Sequence, residues 1–235
     1  TKTAMYPDDL VPGGRLARGE ATLLPNLFAL AAYHPLVVVS REHFLELEGF
    51  TPALLADGLG LAREFLRRAL ERDRSVHHAF VGANYLLPAG ASIVHPHLQM
   101  LVSPVPYGRQ ERLLDACRLH DERHGGSLPL ELADEEERLG ARFIGRRGGW
   151  RWSAAFAPQG CNEILAVHDT EGDFARIDDD DLAELASGIA AVLGAYARLG
   201  LLCFNYALFS VRHGLPASGF RLTFRIVSRQ NLSPA

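Results

Sequence analysis

The sequence predicts an α+β protein made of two related halves, each with an antiparallel sheet and packed helices. Its 235 residues, 48% of them hydrophobic and 22% charged, suffice for a buried core and exclude intrinsic disorder. Long segments with apolar residues every three or four positions alternate with short β-type runs. A strand, a helix and a hairpin follow each other in that order twice, which predicts a pseudo-symmetric fold.

The first half begins with a segment that predicts turns. Residues 7–20 are rich in glycine, proline, aspartate and arginine, which favour turns over periodic structure. Two apolar runs follow, and the valines at 37–39 predict that the second is a buried strand.

A helix and a hairpin complete this half. Thr51 as N-cap, Pro52 in the first turn and leucines at helical spacing predict a helix that ends near Arg72. Residues 78–85 and 98–102 are β-type runs joined by a turn at Gly90, and they predict the hairpin.

The second half repeats this order after a polar, helical stretch at 109–142 and a tryptophan-bearing hairpin around Gly148 and Gly149. Its helix, for which the aspartates at 178–181 predict an N-terminal cap, is expected at 178–200, and its hairpin at 203–228. The offsets are 128 from Leu54 to Leu182 and 125 from Ser103 to Ser228. We therefore divide the chain into a first half at 1–108 and a degenerate second half at 109–235.

Composition restricts the partners. A formal net charge of −4 argues against nucleic acid as a partner. Apolar runs stay short of the ~20 residues that a membrane span needs, and three cysteines cannot make a disulfide framework. We expect a cytoplasmic protein without membrane contact. Because the chain begins with Thr1, we also expect it to be a crop or a processed form of a longer protein.

The most informative segment is GASIVHPHLQ, residues 90–99. Strand alternation places His95, His97 and Gln99 on one face. Pro96 cannot donate to a strand ladder, so the strand is either an edge strand or only begins there. Both arrangements leave the polar face accessible to a ligand.

The turn before this strand predicts an anion site. Backbone amides of Gly90, Ala91 and Ser92 can form a nest for a phosphate. A neutral imidazole such as His97, held at one nitrogen and free at the other, can attack a phosphorus atom and form a covalent adduct. His-x-His is also a common metal-ligand spacing, so the pattern alone leaves catalysis and metal binding open.

This segment resembles the active-site motif of galactose-1-phosphate uridylyltransferases, the transferase branch of the histidine-triad superfamily, in which two repeats form one subunit. The resemblance extends to ATLLPNLFAL, VVVSREHF, GANYLLPAGAS and NEILAVH. It implies that His97 is the nucleophile and that Gln99 and Ser92 bind the phosphate. It further implies nucleotide contacts by a set of residues that includes the turn: Asn26, Phe28, Asn84, Gly90, Ala91, Ser92 and Gln99.

The same resemblance implies a zinc site at His43 and His95, which match two histidine ligands of family members with a structural zinc. Those members also use two upstream cysteines, whereas the first cysteine here is Cys117. Either the cysteines lie in a preceding segment or the two histidines bond without metal. In the second half, Leu222, Thr223 and Arg225 stand where a reactive repeat would have histidines, so that half is expected not to react.

The expected activity is nucleoside monophosphate transfer between a nucleotide sugar and a sugar 1-phosphate or phosphate, through a covalent His97 intermediate, as in galactose metabolism. No organic cofactor is expected, and the resemblance implies a homodimer. Two alternatives stay open. One is a phosphorylase for an ADP-sugar or a diadenosine polyphosphate, and the other is a non-catalytic nucleotide-binding module.

Overall fold

The computed structural model describes residues 5–215 and 219–229. Its strands form one antiparallel sheet, and four α-helices pack on that sheet within the described part. The strands are β1 (Leu16–Arg18), β2 (Ala21–Pro25), β3 (Pro35–Val38), β4 (His78–Tyr85), β5 (His97–Ser103), β6 (Phe143–Arg147), β7 (Trp150–Ala154), β8 (Cys161–His168), β9 (Phe204–Val211) and β10 (Thr223–Ser228). The helices are α1 (Pro52–Arg72), α2 (Gly108–His124), α3 (Leu128–Leu139) and α4 (Asp179–Arg198).

The sheet has an internal pseudo-two-fold relation. Its order, β1-β2-β3-β5-β4-β9-β10-β8-β7-β6, is two five-strand sets that meet at the β4–β9 pair. Gly82 of β4 lies opposite Ala207 of β9 at the centre. The predicted two-repeat α+β fold is therefore confirmed, with the sheets of the two halves joined into one. The predicted boundary at 108/109 falls in the first turn of α2.

The pairing register identifies the counterparts in the two halves. Gly82 also pairs with Gln99, and Ala207 pairs with Arg225, so Arg225 is the counterpart of Gln99. The offset of these strands is thus 126 residues, and the offset of 125 inferred from the two serines is wrong by one. In a strand, a one-residue slip would turn every side chain to the other face.

Helices α1 and α4 pack together on one face of the sheet and close the main core. Their predicted N-caps are confirmed, because Thr51 Oγ1 accepts a hydrogen bond from the Leu54 amide at 3.3 Å and Asp178 Oδ1 accepts one from the Asp181 amide at 2.7 Å. Such caps satisfy amides that the first helical turn leaves without a partner. Each helix turns its apolar stripe toward the sheet.

The opposite face of the sheet is covered unequally. Over the second half lie α2 and α3, where Cys117 packs against Phe209 and the Gln110 amide nitrogen donates to Ser210 O at 2.8 Å. Over the first half, Val38, His97 and Gln99 stay partly exposed on this face. In the part of the chain described here, none of the helices combines the length and apolarity needed to cross a membrane.

The expectation of turns throughout residues 7–20 is wrong in part. A 3₁₀ turn at Pro12–Gly14 is followed by β1, which pairs with β2 across a turn at Gly19. The run 21–25, not predicted as a strand, forms β2 and extends the sheet beside β3. These residues are strands because they pair with neighbouring strands, and no pattern in the local sequence predicts that pairing.

Candidate active site

The motif strand β5 begins directly after Pro96, between β3 and β4. Val39 donates to Pro96 O at 3.1 Å, so the proline contributes its carbonyl where it has no amide to give. The expectation of a strand that begins there is confirmed, and the edge-strand alternative is wrong. Leu98 and Met100 are buried in the core, while His97 and Gln99 are half-buried on the other face, as the alternation predicts.

The ring of His97 is held by one of its nitrogens. Nδ1 lies 2.8 Å from the backbone oxygen of His95. A carbonyl oxygen only accepts hydrogen bonds, so Nδ1 carries the proton and Nε2 keeps its lone pair. The half-buried ring therefore presents the nucleophilic nitrogen in the tautomer that attack on phosphorus requires.

Gln99 is held by a residue that sequence reasoning missed, the buried His34. The Leu30 amide donates to His34 Nδ1 at 3.2 Å, which places the ring proton on Nε2. His34 Nε2 lies 3.1 Å from Gln99 Oε1 and donates to it. The Gln99 amide group is thus left free to donate to a phosphoryl oxygen. His34 precedes Gln99 by 65 positions, and no local pattern marks the link.

The loop after β2 carries Asn26 and Phe28. Asn26 Oδ1 accepts from the Phe28 amide at 3.0 Å, and Asn26 Nδ2 lies 3.2 Å from His34 Nε2. Since that ring nitrogen carries the proton, Asn26 Nδ2 stays available to a ligand. Phe28 is 81% exposed, so it can receive a planar base. Other exposed apolar side chains in the loop and in the turn before β5 are Leu27, Leu30, Leu87, Ile93 and Val94.

The turn after β4 uses part of the predicted anion nest for itself. Gly90 adopts φ +84°, and the amides of Gly90 and Ala91 donate to Leu87 O at 2.9 Å and Leu86 O at 3.2 Å. Leu86 has φ +66°, which is uncommon for a branched side chain and marks a constrained turn. A phosphate contact from this turn therefore rests on Ser92, which is exposed.

Asn84 is tied to the second half of the chain. Asn205 of β9 donates to Asn84 Oδ1 at 2.6 Å and to Ala89 O at 2.7 Å. Asn84 is exposed and lies two residues from Gly82, the partner of Gln99, so it shares the face of Gln99. Its amide nitrogen remains a donor toward a ligand. Asn205 was also missed, because its role depends on the β4–β9 pairing.

His43 and His95, the predicted zinc ligands, lie together. Their Nδ1 atoms are 2.9 Å apart, and His95 Nε2 lies 2.7 Å from Ser40 O. This carbonyl contact leaves His95 Nδ1 as an acceptor, an arrangement typical of histidine ligands. Two converging nitrogens fit half of a tetrahedral zinc site. Among residues 5–215 and 219–229, no group of three or more metal-binding side chains occurs. Zinc at this pair stays a prediction, and its role would be structural.

A curated protein sequence is similar to most of the chain. No family model matches the chain. An uncharacterized protein from Archaeoglobus fulgidus is 32% identical over 222 residues, which are 94% of this chain and 65% of the relative. The chain thus spans 65% of the length of this curated relative.

Solved structures match nearly the whole chain. A galt-like protein from Arabidopsis thaliana gives a TM-score of 0.79 at 20% identity, over 99% of this chain and 83% of that one. An ADP-glucose phosphorylase from the same plant, with bound ADP-glucose, gives 0.78 at 19% identity, over 94% and 78%. A uridylyltransferase gives 0.80 at 20% identity, over 90% and 74%.

These matches show that the chain has the galt-like histidine-triad fold, with two repeats joined in one sheet. The resemblance predicted from the motif is confirmed at the level of the fold.

Proposed function

We propose that this chain transfers a nucleoside monophosphate between a nucleotide sugar and a phosphate-bearing acceptor, through a covalent intermediate on His97. The observation that carries the proposal is the Nδ1 contact of His97 with the His95 carbonyl, which leaves Nε2 as a free nucleophile. The named activities of the similar structures, uridylyltransferase and ADP-glucose phosphorylase, support the substrate class.

In the first step, the Nε2 lone pair of His97 attacks the α-phosphorus of the nucleotide sugar. The bond from that phosphorus to the bridging oxygen breaks, and the sugar 1-phosphate leaves with the electron pair. The imidazole keeps its proton on Nδ1, where the His95 carbonyl stabilises the positive charge that develops on the ring. Gln99 donates to a phosphoryl oxygen without releasing a proton.

In the second step, a phosphate oxygen of the acceptor attacks the same phosphorus. The N–P bond breaks, and its electron pair returns to His97 Nε2, so the ring ends the cycle as it began. Because Gln99 is held by His34 and has no acidic proton, it does not act as a general acid or base. The adduct can therefore wait for a phosphate acceptor.

Two versions of this proposal differ in the base of the transferred nucleotide and in the molecule that accepts it. A uridine nucleotide with a hexose 1-phosphate acceptor is the version that the motif favours. An adenine nucleotide with inorganic phosphate as acceptor is favoured by the ADP-glucose phosphorylase, which has the same fold. The exposed Phe28 can stack on either base, so the geometry admits both.

Isotope exchange tests the proposal. The protein is incubated with labelled glucose 1-phosphate and either UDP-glucose or ADP-glucose, with no other acceptor. We expect label to enter one of the two nucleotide sugars. Reversal of the first step joins labelled glucose 1-phosphate to the nucleotide held on His97, so no second acceptor is needed. A His97→Gln variant should show no exchange, and His124→Ala, an exposed histidine on α2, should match the natural sequence.

A chain that catalyses the complete reaction without partial exchange would contradict the two-step route. A chain that binds either nucleotide sugar but exchanges nothing would support the non-catalytic module instead. ADP formation from ADP-glucose and phosphate would assign the phosphorylase version.

A further inference from the structure

A cavity in the second half lies on the same face of the sheet as His97. Its volume is about 470 Å³, and it is lined by residues of α2, α3 and strands β6 to β10. Arg225 and Thr223 lie on its floor. By the register, these are the counterparts of Gln99 and His97, so the cavity occupies the place in the second half that the active-site face has in the first.

Most of the cavity wall is apolar. Side chains from α2, α3 and the sheet contribute to it, and Phe156 and Leu132 are 72% and 56% exposed. The volume is that of a small-molecule pocket, with room for a body of one or two rings. The principal apolar residues of the wall are Leu113, Leu128, Leu132, Phe143, Leu165 and Phe209.

Four arginines also contribute to the wall, and two of them are neutralised by carboxylates. Arg225 Nε donates to the buried Glu163 Oε1 at 2.5 Å. Arg151 pairs with Asp134 and Asp169. The carboxylate of Glu136, which also lines the cavity, is paired with Arg142 at 2.9 Å. Each of these charged groups therefore already has an ion-pair partner.

The other two arginines have no carboxylate of their own, because the one nearest to Arg109 is shared with Arg225. Arg109 Nη2 is buried and has no hydrogen-bond partner within the described residues, and the nearest carboxylate oxygen, Glu163 Oε1, lies 3.7 Å away. Arg112, one turn further along α2, has no carboxylate within 4.0 Å in residues 5–215 and 219–229. Burial, with Arg225 and Arg112 nearby, lowers the pKa of the Arg109 guanidinium. An anion here would relieve both the repulsion and the missing hydrogen bond.

We propose that this cavity binds an organic anion with an apolar body, whose carboxylate, sulfonate or phosphate contacts Arg109 and Arg112. Thr223 offers no nucleophilic imidazole at the position of His97, so the site binds its ligand without reacting with it. The proposal is independent of the proposed transfer at His97. The second half would thus keep the repeat's pocket for binding alone.

Fluorescence titration with 8-anilinonaphthalene-1-sulfonate tests the site. We expect saturable binding of one dye per chain. N-phenyl-1-naphthylamine, the same ring body without the sulfonate, should bind at least tenfold more weakly. In the double variant Arg109→Gln, Arg112→Gln, the affinity for the sulfonate should fall at least tenfold, while that for the neutral dye should not change.

A second variant tests the same site in case the double variant does not fold. Leu132→Glu places a carboxylate at the exposed edge of the cavity and should weaken binding of the sulfonate. The matched control Leu139→Glu, also exposed and on α3 but outside the cavity wall, should have no effect. His97→Gln should leave dye binding unchanged. Absence of saturable binding, or equal sulfonate affinity in the double variant, Leu132→Glu and the natural sequence, would overturn the proposal.

Discussion

The two halves of the molecule have the same arrangement of strands, but they differ in the side chains at equivalent positions and in the helices that cover the sheet. Across the centre of the sheet, Gln99, Gly82, Ala207 and Arg225 form one row of paired residues. At the first-half end of the row, neutral polar groups face an open surface. At the second-half end, α2 and α3 cover an arginine that is paired with a buried glutamate. Two side chains and a helical cover thus separate the face proposed to react from the cavity proposed to bind.

The largest expected effect is on catalysis at the first-half position. His97→Gln should lower the rate of nucleotidyl transfer by at least about a thousandfold, because the nucleophile is lost. Thr223→Val, the counterpart change, should alter the rate less than about twofold, since Thr223 is buried and its hydroxyl donates to the nearby Arg221 O at 3.1 Å. Initial rates with the accepted nucleotide sugar measure both. A similar loss from both variants would break the comparison.

The second prediction concerns stability. Here the larger effect is expected from the second half, whereas for catalysis it is expected from the first. Arg225→Gln leaves Glu163 buried without its strongest partner and should lower the free energy of unfolding by about 3 kcal/mol. Gln99→Ala removes one hydrogen bond to His34 and should cost about 1 kcal/mol. Arg118→Gln serves as the control. It breaks an exposed ion pair with Glu122 and should lower the free energy of unfolding by less than about 0.5 kcal/mol. Urea denaturation gives all three values, and a larger loss from Gln99→Ala would contradict the assignment.

The third prediction concerns His34 as a positioning residue for Gln99. His34→Leu should lower kcat about tenfold, because the orientation of the Gln99 amide is lost with one hydrogen bond. His34→Gln offers an N–H close to the position of His34 Nε2 and should recover most of this loss. Equal kcat values for both variants would reduce His34 to a packing role.

The smallest effect is expected at the exposed aromatic residues. Phe28→Ala should raise KM about fivefold through lost stacking on the base, with a change in stability below about 0.5 kcal/mol. Phe156→Ala, which removes an aromatic ring that is also largely exposed but lies in the second half, should leave KM unchanged. An unchanged KM for Phe28→Ala would place the base elsewhere.

Local patterns sufficed for much of the fold. Neighbouring residues predict the helix caps, the apolar faces of the helices and the hairpin turn. The structure has these features where expected, including the caps at Thr51 and Asp178 and the turn at Gly90. β1 and the register of β10 were not predictable in this way. Both depend on pairing with strands elsewhere in the chain, and identical serines suggested an offset that the sheet does not have.

The site divides in the same way. The segment around His97 could be identified because its two histidines, its proline and its glutamine lie within five residues, 95–99. His34 and Asn205 could not, since each acts through one hydrogen bond to a residue far away in sequence. The nest at Gly90 and Ala91 was predicted from residue type, but the turn itself engages those amides.

Mass spectrometry of the protein mixed with its nucleotide sugar tests the central claim most directly. The account predicts that a chain stopped during turnover carries one nucleoside monophosphate, which acid removes and which maps to the peptide containing His97. The His97→Gln variant should stay unmodified. Turnover by a chain that never carries the group, or carries it on another residue, would contradict the account.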